Sequence, residues 1–194
     1  MHINSMLLFK KYAKKCFGPN ITVLEIGPDK FPSSYCEIVS TKSIDWQTLD
    51  LYSDVNLTYI AKDEYTFPVN DNTFDIVLSG QVLEHVRKPW VWIKELARIC
   101  KVGGYVITIS PVSWPYHQAP IDCWRTYPDG MKALYEEGGI KVELCKMESL
   151  ERSDLRRIYP GEGAMPERNL KSIIKKLTGW PFTYAIDTIT IGMK

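Results

Sequence analysis

Thr22-Val23-Leu24-Glu25-Ile26-Gly27-Pro28-Asp29 is the stretch on which the fold is read. A short apolar run rich in β-branched residues stops abruptly at Gly-Pro, the pattern of a buried strand ending in a tight turn. One acid lies inside the run (Glu25) and another just past the turn (Asp29). A carboxylate buried at a strand end is costly unless something pairs with it. The tip of this strand is therefore expected to face a ligand with donors or positive charge, or else the run is only a core strand.

Two ligand classes sit at the carboxyl end of a first parallel strand. A dinucleotide needs a glycine-rich turn, so that backbone N–H groups and a helix N-terminus can cradle its pyrophosphate. Here Gly27 is followed by Pro28, Asp29, Lys30 and Phe31, without a second or third glycine. Pro28 removes a donor, and Asp29 repels phosphate. S-adenosylmethionine carries an ammonium, a sulfonium and two ribose hydroxyls, which tolerate or want carboxylates. The acids favour the sulfonium.

Composition bounds the rest. At 194 residues, 45% hydrophobic and 24% charged, the chain reads as one soluble globular domain. A formal net charge of +1 produces no field that would make nucleic acid or a membrane surface the main partner. No apolar stretch is long enough for a spanning helix, and residues 1–9 lack a basic n-region and a cleavage site. Five cysteines without a C-x-x-C pair argue against a disulfide framework or a zinc site, and free thiols suit the cytoplasm.

In chain order, Met6 to Phe17 reads as an amphipathic helix ending at Gly18-Pro19, its lysines a solvated face, with an acceptor-binding patch as the alternative. Tyr35 to Val39 is a short helix or strand. Trp46 to Leu51 is a second strand ending at Asp50, where such folds hydrogen-bond a ribose; a turn-forming Asp is the alternative. Leu57 to Ala61 is a third short run, and Asp63 beyond it is placed to accept from an exocyclic amine, or else is an ordinary loop acid. Phe74 to Ser79 is a buried strand. Pro89 then opens a helix whose Ile93, Leu96, Ala97 and Cys100 form one stripe, with Gly103-Gly104 expected to stop it before a strand over Tyr105 to Ser110. Strand, helix and strand with short joints make a parallel crossover. Pro111 to Tyr127 is a polar-aromatic loop, Pro128 begins a helix ending at Gly138-Gly139, and Val142 to Met147 and Tyr184 to Gly192 are β-rich.

With these pieces in order, the chain resembles the class I S-adenosylmethionine-dependent methyltransferases of the methyltransferase-11 type, similar to those of polysaccharide and glycan biosynthesis. The matching residues are VLEIGPD at 23–29, TLD at 48–50, KDE at 62–64, NTFDIVLSGQVLEHV at 72–86, KVGG at 101–104 and HQAPIDCWRTYPDGMKALYEEGG at 117–139. The resemblance implies an α/β, doubly wound, mostly parallel seven-stranded sheet with the last strand antiparallel. It implies a single domain over 1–194: an N-terminal helix at 1–18, a cofactor-binding core at 20–148, a variable insertion at 150–183 and a closing strand at 184–193. It also puts Glu25, Gly27, Pro28, Asp29, Asp50, Leu51, Asp63, Glu64, Ser79, Gly80 and Gln81 around S-adenosylmethionine. One departure stands out: the family's first motif usually has a second glycine where this chain has Asp29.

Methyl transfer from a sulfonium needs positioning more than covalent help, and a hydroxyl or amine acceptor needs a base near neutral pKa. Of three histidines, His117 in the polar-aromatic loop is the first choice as base, or else a loop brace. His85 orients the turn or packs under the cofactor. Arg125 either holds an anionic acceptor bidentately or braces the loop through Asp122. Three scattered histidines form no metal-ligand spacing, so no metal is expected. The expected activity is methyl transfer to a small-molecule or glycan-linked acceptor; a non-catalytic binding scaffold is the alternative. The oligomeric state is not written in the sequence.

Overall fold

The computed structural model describes residues 3–41, 43–52, 54–118, 120–151, 156–158, 180–182 and 185–194. Strand β1 (Thr22–Ile26) lies between β2 (Asp45–Asp50) and β4 (Phe74–Gly80), parallel to both. The two-residue β3 (Tyr59–Ile60) forms the edge beside β2. On the other side β4 pairs in parallel with β5 (Cys100–Pro111). The last strand, β9 (Asp187–Met193), enters antiparallel between β5 and β6 (Lys141–Glu148), for a sheet order β3-β2-β1-β4-β5-β9-β6. The expected doubly wound sheet with one antiparallel insertion is what forms.

Alternation along β1 explains the two layers. Successive side chains of a strand point to opposite faces, and a sheet covered on both sides needs apolar residues on each. Leu24 and Ile26 pack with Trp92, Ile93 and Leu96 of α3 (Pro89–Ile99) and with Met131 and Tyr135 of α4 (Pro128–Glu137). Val23 goes to the other face, against Leu8, Phe9, Ala13, Tyr35 and Val39. Those last five come from the N-terminal helical segment and from α2 (Ser34–Val39), whose Ser33 cap accepts from the Cys36 N–H.

Two expected boundaries move. The N-terminal helical segment begins at Ile3, as α1 (Ile3–Leu8) followed by a π turn (Phe9–Ala13) and a 3-10 turn (Lys14–Cys16). Its start is polar yet buried, because Asn4 and Ser5 find partners inside the fold, and apolar periodicity cannot register such residues. Lys10, Lys11, Lys14 and Lys15 are exposed, as a solvated face should be.

Gly103-Gly104 does not stop α3, which ends at Ile99 with Cys100 already extended and paired opposite Phe74. Strand pairing takes over the backbone there, and the glycines serve a strand irregularity instead. Gly103 has φ +79, and a Cβ on Gly104 would lie 2.7 Å from the Asp75 carbonyl. Within the expected insertion, β7 (Arg156–Ile158) and β8 (Trp180–Phe182) form a separate antiparallel ribbon; the remainder of 152–179 lies outside the described residues.

Candidate functional site

The carboxyl ends of β1, β2 and β4 open onto a cavity of about 320 Å³, within the size range of small-molecule pockets. Its walls are largely apolar (Ile26, Leu49, Phe67, Val82, Val86, Trp92), and Asp50, Glu64, Gln81 and His85 supply the polar groups. Gly27 turns the chain beneath it at φ +68, and a Cβ there would come within 2.5 Å of the Val82 side chain. Only glycine satisfies both conditions.

Asp50 ends β2 with Oδ1 accepting the N–H groups of Leu51 (2.6 Å) and Tyr52 (3.4 Å). Those bonds fix the carboxylate at the rim and do not involve Oδ2. Glu64 is held by the Arg87 guanidinium at 2.6 Å and the Arg87 N–H at 3.0 Å. Gln81 has φ 61, donates its N–H to the Ile109 carbonyl, and sends its amide to Asp187 at 3.2 Å.

Of the residues expected around the cofactor, Gly27, Asp50, Leu51, Glu64 and Gln81 line this cavity. Glu25, Pro28, Asp29, Asp63, Ser79 and Gly80 stand behind or beside it. Glu25 is buried, its Oε2 accepting from Ser33 Oγ and from Trp46 Nε1 while Oε1 has no hydrogen-bond partner among the described residues. Burial pushes its carboxyl up to about 7, against those two hydrogen bonds. Asp29 caps the approach to α2, taking the N–H and hydroxyl of Ser34. Asp63 accepts from the Tyr65 N–H in an exposed turn. Ser79 and Gly80 are buried in β4, with Gly80 against the Tyr35 ring.

The loop after β5 closes one end of the cavity. It is stitched to the 84–86 segment by Cys123 N–H to Glu84 O (2.7 Å), His85 Nδ1 to Ile121 O, and Trp124 Nε1 to Val86 O (2.8 Å). Arg125 grips Asp122 with two prongs, at 2.5 and 2.7 Å, and spends its other N–H groups on the Trp114, Pro115 and Trp124 carbonyls. All five guanidinium donors are engaged, so Arg125 braces the loop.

His85 lines the cavity and His117 stands behind it, their rings edge to face at 5.0 Å. Burial lowers the His117 pKa, with Asp122 working the other way. Glu84, between β4 and this pair, is 1% exposed, and among the described residues neither of its oxygens has a hydrogen-bond partner. Burial pushes its carboxyl up to about 8.

Residues 33–108 match the methyltransferase domain family. A 61-residue stretch is 39% identical to an uncharacterized methyltransferase of Mycobacteroides abscessus, covering 31% of this chain and 23% of that one. The matched stretches are thus similar to methyltransferase sequences. The matched stretches span only 18% to 23% of the length of the curated relatives. Among solved structures, the YcgJ protein of Bacillus subtilis covers all of this chain and 99% of itself at a TM-score of 0.65 and 15% identity. The phosphoethanolamine N-methyltransferase 2 of Haemonchus contortus, solved with S-adenosylmethionine, covers 98% of this chain and 52% of itself (TM-score 0.60, 12% identity). At these identities the likeness is one of fold.

The cavity fits the methyltransferase cofactor by the chemistry of its donors. Its apolar walls suit a flat base, its rim carboxylates suit hydroxyls and positive charge, and its single glycine turn offers no phosphate cradle. Asp50, Gln81 and the Gly27 turn stand together on its lining.

Four residues were not expected at the site from the sequence. Phe67 lies in a stretch between Asp63 and Phe74 that was assigned no element, and Trp92 lies in the helix opened by Pro89 but outside its expected stripe. Asp187, on β9, is buried and accepts from both Gln81 and Asn4 (2.6 Å), tying α1 to the cavity across 183 residues of sequence. Nothing local signals that bond. Glu84 was findable: like Glu25, it is an acid set in an apolar run, Val82-Leu83-Glu84-His85-Val86.

Proposed function

We propose that the chain transfers a methyl group from S-adenosylmethionine to a hydroxyl, or an amine, of a small or glycan-linked acceptor. The observation that carries this reading is the carboxylate-rimmed apolar cavity at the ends of β1, β2 and β4, with Asp50 at the position suited to a ribose diol. S-adenosylmethionine, once bound, supplies an electrophilic methyl on a positively charged sulfur. The residues around it do the rest. Leu49, Phe67 and Trp92 exclude water from the base, and Asp50 accepts from the ribose. In-line positioning accounts for about 7–11 kcal/mol of barrier lowering in well-oriented systems. Deprotonation of the acceptor falls to the His85–His117 end of the cavity, where His117 is a half-buried imidazole kept neutral by burial.

Exposed Tyr116, Trp124 and Trp90 near that end support a sugar-bearing acceptor, since aromatic faces stack on pyranose rings. Among the described residues no helix is long and apolar enough to cross a membrane. Calorimetric titration with S-adenosylhomocysteine tests the proposal. One equivalent bound at micromolar affinity is expected, and no heat together with no shift in Tm would refute it.

A further inference from the structure

We infer that Glu84, His85 and His117 form a binding site for a single first-row divalent cation of the zinc or manganese class, at the acceptor end of the cavity. The fold brings together what the sequence keeps 32 residues apart: one ligand atom from each of the three lies within 4.8 Å of the others.

Three further observations point the same way. First, the Glu84 carboxylate is 1% exposed and both its oxygens lack a hydrogen-bond partner among the described residues, a cost that a bound cation would offset. Second, both imidazoles are set up as metal ligands. The His85 Nδ1 is held by the Ile121 carbonyl and the His117 Nδ1 by the Pro115 carbonyl at 3.3 Å. Tying one ring nitrogen to a carbonyl fixes the tautomer and leaves Nε2 with its lone pair, the usual support of a metal-bound histidine. His85 Nε2 already stands 3.8 Å from Glu84 Oε1. Third, the nearest cation, Arg125, is neutralised by its two-pronged pairing with Asp122, so no net positive charge opposes an ion.

Two histidines and one glutamate are a donor set used by catalytic zinc, with further positions open to water or substrate. Ligands of one tetrahedral ion stand about 3.4 Å apart when each bond is about 2.0–2.1 Å. The three groups therefore need to close by roughly an ångström, a side-chain rotation. The site stands independently of the cofactor; its role rests on the methyltransferase reading. In that role His117 holds the ion, and the ion lowers the pKa of an acceptor hydroxyl it contacts. The proton leaves to solvent, the oxygen forms its bond to the methyl carbon, and the sulfur–carbon bond breaks.

The test is calorimetry of chelator-treated protein with Zn²⁺ and Mn²⁺, with Co²⁺ absorption as a report of geometry. One ion per chain is expected, with affinity falling roughly tenfold or more in Glu84→Gln and in His117→Gln. Absence of ion binding, or affinity and Co²⁺ spectrum unchanged in both variants, would overturn the site. If Glu84→Gln does not fold, His117→Gln on the loop decides alone. A parallel titration with S-adenosylhomocysteine keeps the two readings apart. Ion without nucleoside leaves the metal site and removes the methyltransferase, and nucleoside without ion does the reverse.

Discussion

Arg125 and Asp122 meet as a two-pronged ion pair at 2.5 and 2.7 Å, with the Asp122 side chain 1% exposed. Burial alone would raise the Asp122 carboxyl, but Arg125 and the His117 N–H at 2.8 Å outweigh it and hold it below its ordinary value. The pair therefore sets the position of the His117 backbone. Removing one partner leaves the other buried and uncompensated, at a cost of about 3 kcal/mol. Arg125→Met is expected to lower Tm by roughly 6–12 °C and to speed proteolysis between 113 and 127. An unchanged Tm and cleavage pattern would mean that the loop holds without this brace.

Asp50 sits at the cavity rim with one oxygen already committed to the chain. Asp50→Ala should weaken S-adenosylhomocysteine binding by about 1.5–3 kcal/mol, the range for a hydrogen bond to a charged group. Calorimetry measures it directly, and equal affinity in the variant would reduce Asp50 to a turn residue.

Glu25 makes stability depend on pH with a definite sign. Its carboxyl is raised to about 7 from 4.5, chiefly by burial. The folded state therefore binds the proton more tightly than the unfolded state between those values. This contribution is fully present below about pH 4.5, is lost as pH rises through 7, and amounts to something on the order of 3 kcal/mol. In urea unfolding from pH 5 to 8, Glu25→Gln should lose stability less steeply than the parent. Parallel curves would rule the assignment out.

Gly80 has no room for a side chain, because the Tyr35 hydroxyl and ring occupy the space a Cβ would take. Tyr35 is itself buried and bonded to Ser5 Oγ at 2.5 Å. Gly80→Ala is expected to cost about 1–3 kcal/mol by overpacking, read as a lower urea midpoint. No change would show that Tyr35 can swing away freely.

His117→Ala should lower kcat while leaving S-adenosylhomocysteine affinity within roughly twofold, since His117 stands outside the lining of the cavity. Unchanged turnover would remove it from the chemistry.

Local pattern in the sequence determined the strands and their order of use. The run at 22–26, the turn at Gly27, the strand ending at Asp50 and the helix begun by Pro89 were all readable, because burial on a sheet leaves an apolar period and Gly or Pro marks its end. Gly27 and Asp50 were expected at a ligand site because open α/β sheets keep ligands at strand ends, Gln81 through the family resemblance, and all three line the cavity. It could not tell that Glu25 and Asp29 serve the frame rather than the cavity wall, since both look alike as acids near a turn. Only the tertiary structure sets Asn4 against Asp187, spends all of Arg125 on its own loop, and brings the rings of His85 and His117 to 5.0 Å of each other beside buried Glu84. Those relationships depend on which side chains chain crossings bring together, and no periodicity along one strand or helix records that.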